Sequence, residues 1–174
     1  MRVLLATDAP WLVDELVASL GGPDTSFTVV SEGREVAKVV ATNDGPTYDI
    51  GIFDLQIGSM GGMAVTMSLR LDESSGRVPH VPVVMLLDRF ADVHLSRRSG
   101  ADGWLVKPLD PLRLRKAVRT VLAGGSYQEN LDGAVVVDAQ PALVAVDGGS
   151  AEATADADTD VAAEPSGQEP VTAG

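Results

Sequence analysis

The stretch that decides the fold is YDIGIFDLQ, residues 48–56. Between Asp49 and Asp54 every residue is apolar or glycine, so polar and apolar positions do not alternate. A strand of this kind is buried on both faces, which is typical of a parallel sheet with helices on either side. The stretch therefore predicts a central strand over Asp49–Phe53 that ends at a carboxylate.

The same succession of strand and helix recurs on both sides of this stretch. Strands are predicted at Arg2–Ala6, Phe27–Val30, Asp49–Phe53, Val81–Leu87 and Gly103–Val106. Each is followed by a segment whose apolar residues have helical spacing, around 12–20, 34–41, 63–71, 91–99 and 110–123. Five such units joined by right-handed crossovers predict the α/β class, with a doubly wound five-stranded parallel sheet between two layers of helices.

Charge and composition divide the chain into three parts. Residues 1–125 hold 15 acids and 13 bases, whereas residues 126–174 hold 10 acids and no base. We predict a domain over 1–125, a linker over 126–147 and a disordered acidic tail over 148–174. The linker has two β-prone runs, 134–137 and 142–146, which dock on the domain, pair with a partner's edge or have no structural role.

Several classes of function are disfavoured by composition. The chain has no cysteine, which excludes disulfides, thiolate zinc sites and cysteine nucleophiles. No run approaches membrane-spanning length and the first residues do not resemble a signal peptide, so we expect a cytoplasmic protein without a membrane partner. No Lys or Arg follows Arg119, so we expect no nucleic-acid partner for the tail.

Charged residues stand at the carboxyl ends of four predicted strands, where ligands bind in open parallel sheets. They are Asp8, Asp54, Asp88 and Lys107, of which we expect Asp8, Asp54 and Lys107 to converge. Two neighbouring carboxylates suit Mg²⁺, a hard cation that keeps several waters. A carboxylate beside Mg²⁺ and a lysine ammonium can attack phosphorus and form an aspartyl phosphate.

At this point the sequence resembles a known family, the response-regulator receiver domain of two-component signalling, which has a (βα)5 flavodoxin-like fold. The resemblance rests on Tyr48–Gln56, on the glycines Gly61 and Gly62 that follow, and on Gly100–Pro108. It covers residues 1 to about 123. The motifs are specific because all of them occur in order on a five-unit α/β pattern.

The resemblance implies a role for each site residue. Asp54 would be the phosphoacceptor, and Lys107 would contact the phosphoryl group. Asp8, Asp54 and the backbone carbonyl of Gln56 would bind Mg²⁺. The peptide bond between Lys107 and Pro108 would be cis, an isomer that costs little before proline.

Four residues of the predicted site depart from the family pattern, in addition to Gly58 and Gly61 in the loop after the third strand. Thr7 replaces the first of two adjacent acids, which would weaken Mg²⁺ binding. Leu87 stands where the family has a Ser or Thr that bonds the phosphoryl group, a bond that leucine cannot donate. Asp88 replaces a small residue, and either obstructs and repels a phosphodonor or caps the following helix. Trp104 holds the aromatic switch position, and either acts as a switch or only packs on the fourth helix.

Three hypotheses follow. The preferred one is an atypical single-domain response regulator, not an enzyme, that is phosphorylated on Asp54 by a histidine kinase or phosphotransfer protein and binds a protein partner through its helix 4–strand 5–helix 5 face. The second, favoured by Thr7, Leu87 and Asp88, is a phosphorylation-independent pseudo-receiver that acts as a constitutive interaction module. The third is a flavodoxin-like enzyme or nucleotide binder, which would need a glycine-rich loop that the first strand lacks.

Overall fold

The computed structural model describes residues 1–41, 47–130 and 134–138. Within these ranges the strands are β1 (Arg2–Ala6), β2 (Ser26–Val30), β3 (Ile50–Asp54), β4 (Val83–Leu87), β5 (Gly103–Val106), β6 (Ser126–Glu129) and β7 (Val135–Asp138). The α-helices are α1 (Pro10–Leu20), α2 (Gly33–Ala41), α3 (Gly62–Ser74), α4 (Val93–Ser99) and α5 (Pro111–Leu122), and a 3-10 turn at Phe90–Asp92 precedes α4. The predicted acidic tail and the β-prone run 142–146 lie outside the described residues.

The described strands form one sheet in the order β2-β1-β3-β4-β5-β6-β7. The first six strands of this order pair in parallel, and β7 pairs antiparallel with β6. The predicted doubly wound α/β class and its five parallel strands are confirmed. The sheet also continues past residue 125 into the region that the sequence assigns to a linker, where β7 includes most of the first β-prone run.

The core explains why the strands have no polar alternation. Successive residues of β1, such as Leu4 and Leu5, are fully buried on opposite faces of the sheet. On one face lie α1 and α5, with Leu12 and Leu114 in the shared core. The other face is covered by α2, α3 and α4. All residues of β3 and β4 are buried, as a parallel strand between two helical layers requires.

Local sequence places helices α3 and α5 beside the carboxyl ends of β3 and β5. A Cβ atom at Gly62 would lie 2.4 Å from the carbonyl oxygen of Asp54, so glycine lets α3 begin directly against the end of β3. Asp110 caps α5, accepting hydrogen bonds from the backbone N–H groups of Leu112 and Arg113, both at 2.9 Å. Pro111 then occupies the first turn, where its missing N–H costs nothing.

Strand β6 covers the edge that β5 would otherwise expose. Tyr127 pairs with Gly103 and Gln128 pairs with Trp104. A Cβ atom at Gly103 would lie 2.9 Å from the carbonyl oxygen of Tyr127, so the close approach of the two strands requires glycine there. The outer strand is therefore β7, whose Val135–Val137 are partly exposed. None of the helices in the described ranges is long and apolar enough to cross a membrane.

Candidate functional site

Asp54 and Lys107 meet at the carboxyl edge of the sheet. Asp54 is the last residue of β3 and is only 4% exposed. Lys107 follows β5, and its Nζ donates a hydrogen bond to Oδ1 of Asp54 at 2.9 Å. The Lys107–Pro108 peptide bond is cis, as the family resemblance predicts. Strand β4 separates β3 from β5, so the long lysine side chain spans the end of β4 to reach the carboxylate.

Thr7 and Gln56 supply the other hydrogen bonds to the Asp54 carboxylate. The Thr7 hydroxyl donates to Oδ2 of Asp54 at 3.2 Å and accepts from the backbone N–H of Ala9 at 3.2 Å. The backbone N–H of Gln56 donates to Oδ1 at 3.3 Å. Thr7 is buried, so the residue that replaces a family acid donates to the strand-end carboxylate instead of adding a negative charge.

Asp8 joins β1 to the loop after β3. Its Oδ2 accepts a hydrogen bond from the backbone N–H of Gly58 at 3.1 Å. Asp8 and Asp54 follow neighbouring strands and offer hard oxygen donors of the kind that Mg²⁺ prefers, with waters for its remaining positions. In the part of the chain that the structure describes, no three His, Cys, Asp or Glu side chains form a metal-binding group. The two carboxylates have the donor chemistry that suits Mg²⁺, with fewer charges than a three-acid site would have.

Asp88 shares the Lys107 ammonium with Asp54. Its Oδ1 accepts from Nζ of Lys107 at 3.1 Å, so one ammonium bridges Asp54 and Asp88. The Oδ2 atom of Asp88 is buried and has no hydrogen-bond partner among the described residues. The helix-cap interpretation of Asp88 is wrong, because the N-cap of the 3-10 turn is Arg89 and that of α4 is Asp92. Its carboxylate instead accepts from the Lys107 ammonium at the strand ends.

Leu87 and Trp104 lie in the hydrophobic core. Both are at most 1% exposed and share a cluster with Val93 at the start of α4. The indole Nε1 of Trp104 donates to the backbone carbonyl of Glu129 in β6 at 2.8 Å. The guanidinium carbon of Arg97 in α4 lies 5.8 Å from the centre of the indole ring. Trp104 is therefore packed against α4 and held from the other side by β6.

The sequence does not single out Glu129 or Trp11, and it marks Arg113 only as one of four bases on the fifth helix. The Glu129 carboxylate is buried because β6 joins the sheet. This strand is hard to predict, because its four residues, Ser-Tyr-Gln-Glu, contain no apolar run. Arg113 looks like part of a solvated basic helix, yet its Nη1 lies 3.2 Å from Oε1 of Glu129. Trp11 lies in the first turn of α1, three residues after Asp8, and its ring centre is 5.8 Å from Nζ of Lys107. The position of Trp11 shortly after the end of β1 is the one feature of the sequence that indicates a place near the site.

The chain belongs to the response-regulator receiver domain family, whose model matches residues 3–119. The DNA-binding response regulator MtrA of Mycolicibacterium smegmatis is 32% identical over 123 residues, which cover 70% of this chain and 50% of MtrA. The protein PilH of Pseudomonas aeruginosa is 28% identical over 129 residues, which cover 71% of this chain and 98% of PilH. The chain thus matches about half the length of MtrA and nearly all of PilH.

The fold is also that of solved receiver domains. One is the receiver domain of a sensor histidine kinase from Pseudomonas aeruginosa, solved with a magnesium ion coordinated in its active-site cleft. It has a TM-score of 0.57 and 21% identity, and the match covers 70% of this chain and 96% of that one. These relatives are signalling receivers, which confirms the predicted resemblance.

The hypothesis of a flavodoxin-like enzyme would need a cavity for a flavin at the strand ends. A groove of about 400 Å³ lies elsewhere, between α1 and α5, and its lining includes Arg115 and Arg119.

Proposed function

We propose that the chain is an atypical phosphorelay receiver that accepts a phosphoryl group on Asp54 and signals by protein–protein contacts. The observation that carries this proposal is the 2.9 Å hydrogen bond from Nζ of Lys107 to Asp54 at the strand ends. The phosphodonor would be a phosphohistidine on a histidine kinase or phosphotransfer protein, the donors that the receiver family uses.

In the proposed reaction a carboxylate oxygen of Asp54 attacks phosphorus, and an aspartyl–phosphate bond forms as the phosphorus–nitrogen bond of the donor breaks. The displaced imidazole leaves as a good leaving group. Lys107 neutralises part of the charge on the phosphoryl oxygens, which is the main requirement of phosphoryl transfer. Asp8, Asp54 and the backbone carbonyl of Gln56 would hold Mg²⁺, which would supply further charge neutralisation.

The second candidate function is a phosphorylation-independent interaction module. The hydrogen bond from Lys107 to Asp88 favours it, because an incoming phosphoryl group must compete with a carboxylate for the ammonium. The burial of Leu87, with no hydroxyl at that position, favours it too. The sequence predicts a partner on the helix 4–strand 5–helix 5 face, but β6 pairs with the edge of β5 and covers it. Under either function, we propose that the partner binds α4, α5 and the β6–β7 pair instead.

The deciding experiment is intact mass spectrometry after incubation with Mg²⁺ and acetyl phosphate. PilH, which this chain matches over nearly its whole length, is incubated in parallel under the same conditions. A single phosphoryl adduct, located by proteolysis to the peptide that contains Asp54, is the expected result. If PilH is labelled but this chain is labelled neither by acetyl phosphate nor by phosphorylated histidine kinases, the constitutive module is the better description.

Replacing Asp88 with alanine is expected to raise the rate of labelling by about tenfold, equal to about 1.4 kcal/mol in the activation barrier. The change frees Lys107 from a competing carboxylate and removes a negative charge beside the phosphodonor. The time course of the adduct measures the rate. Asp72→Ala is the matched control, because it removes one acid near the far end of α3, where Asp72 pairs with Arg77. Equal rates in both variants would contradict a specific effect of Asp88.

A further inference from the structure

The carboxylate of Glu129 continues the pairing of β6 with β5 beyond the point where the backbone pairing stops. The paired residues of β5 are Gly103 and Trp104. Two residues further along, the backbone N–H of Val106 donates to Oε2 of Glu129 at 2.8 Å. Because the Glu129 side chain is only 3% exposed, water has little access to this bond. A side chain from β6 thus holds the last residue before Lys107.

Arg113 extends this support to the lysine–proline bond. Its Nη1 lies 3.2 Å from Oε1 of Glu129, an ion-pair distance without a hydrogen bond. Its Nη2 donates to the carbonyl oxygen of Pro108 at 2.7 Å and to that of Val106 at 3.3 Å. The backbone on both sides of Lys107 is therefore bonded to one ion pair, whose carboxylate on β6 is buried and whose guanidinium on α5 is 37% exposed.

Each carboxylate oxygen of Glu129 faces a nitrogen donor group. A buried carboxylate is costly unless it is paired and hydrogen-bonded, and here one oxygen has an amide donor and the other a guanidinium. Burial, reinforced by the charge of Glu129, also raises the pKa of the neighbouring Tyr127 hydroxyl. The same residue accepts the indole hydrogen bond of Trp104 at its backbone carbonyl. Glu129 therefore connects β6 both to the aromatic position and to the segment that carries Lys107.

We propose that Glu129 is a positioning residue for the phosphoacceptor site: it fixes residues 106–108, so that the Lys107 ammonium stays on Asp54. This proposal rests on the proposed function, because the effect of Glu129 is measured as a change in the rate of Asp54 phosphorylation. It makes β6, which lies outside the residues matched by the family model, a working part of the receiver site. The predicted boundary at residue 125 would then separate the site from one of its supports.

The test uses three variants of the full chain. Glu129→Leu removes both acceptor oxygens at similar size. Glu129→Gln keeps an oxygen that can accept from the Val106 N–H. Gln128→Leu is the matched control, because Gln128 is the adjacent residue of β6 and its side chain contacts Ser126 rather than the end of β5. Each is labelled with acetyl phosphate and Mg²⁺ at a temperature where circular dichroism shows it folded, and backbone amide resonances are recorded without phosphodonor.

We expect Glu129→Leu to slow labelling by about tenfold, since small displacements of a charge-neutralising group have large effects on rate. The amide resonances of Lys107 and Asp54 should shift in the same variant. Glu129→Gln should recover most of the rate, and Gln128→Leu should match the wild type in rate and in both resonances. Recovery by glutamine would separate positioning from a general loss of stability.

Two results would overturn the proposal. One is a folded Glu129→Leu variant with wild-type labelling and unshifted Lys107 and Asp54 resonances. The other is an equal effect of Gln128→Leu, which would mean that any disturbance of β6 acts alike. If the wild type is not labelled at all, the proposed function fails, and the resonances alone then decide whether Glu129 positions Lys107.

Discussion

Replacing Asp54 with asparagine is expected to abolish the phosphoryl adduct that acetyl phosphate forms on the wild-type chain. An amide oxygen is a far weaker nucleophile than a carboxylate, and it carries no charge to hold Mg²⁺. The fold should survive, because asparagine has the same shape and can still accept from Lys107 while its NH₂ group donates to the Thr7 hydroxyl. Intact mass spectrometry with Mg²⁺ measures the adduct.

Asp49→Asn is the matched control for this substitution. Asp49 directly precedes the same strand at its opposite end, is exposed, and accepts a hydrogen bond from the backbone N–H of Arg2 at 2.7 Å. The control should be labelled like the wild type. An undiminished adduct in Asp54→Asn would show that another carboxylate, such as Asp8 or Asp88, is the acceptor, and the assignment of Asp54 would be wrong.

Replacing Leu87 with threonine, the hydroxyl residue typical of the family, is expected to lower the free energy of unfolding by about 2–3 kcal/mol. Leu87 is fully buried in the cluster that contains Trp104 and Val93. Threonine is smaller, so the substitution leaves unfilled volume in the core and adds a hydroxyl there. Urea unfolding followed by circular dichroism measures the change.

Leu71→Thr makes the same chemical change where burial is not involved. Leu71 lies on α3 and is 65% exposed, so the substitution should cost less than about 0.7 kcal/mol, the scale of helix propensity. Similar losses in the two variants would mean that the Leu87 side chain is not a packing element. A hydroxyl could then be introduced at position 87 without a change in the surrounding core.

The placement of the candidate site residues could be predicted from sequence because these residues stand where strands end. Asp8, Asp54 and Lys107 follow apolar runs, and parallel strands bring their carboxyl ends to one edge of the sheet. The local sequence pattern is enough to predict the positions of such residues, because a fully buried strand of four or five residues is recognisable as an apolar run. The effect of Asp88 was harder to predict, because helix capping and contact with Lys107 are both compatible with a carboxylate after β4.

The contribution of the chain after residue 125 depends on tertiary structure. Residues Ser126–Glu129 have little apolar character, and they form a strand because the exposed edge of β5 offers unpaired backbone groups. Glu129 looks like a surface acid until that pairing buries it beside Val106 and Arg113. The same pairing places the backbone carbonyl of Glu129 where it accepts a hydrogen bond from the Trp104 indole. Every residue has a backbone carbonyl, so the sequence gives no sign of this contact.

The sequence by itself determined the fold class, the family and the positions of the acidic and basic residues at the strand ends. These follow from short-range patterns of burial and from the geometry of parallel sheets. Only the tertiary structure decided that Lys107 bridges Asp54 and Asp88, that Trp104 is packed against α4 and bonded to β6, and that a sixth parallel strand pairs with β5. Such contacts join residues distant in sequence, and their partners are selected by three-dimensional proximity and burial.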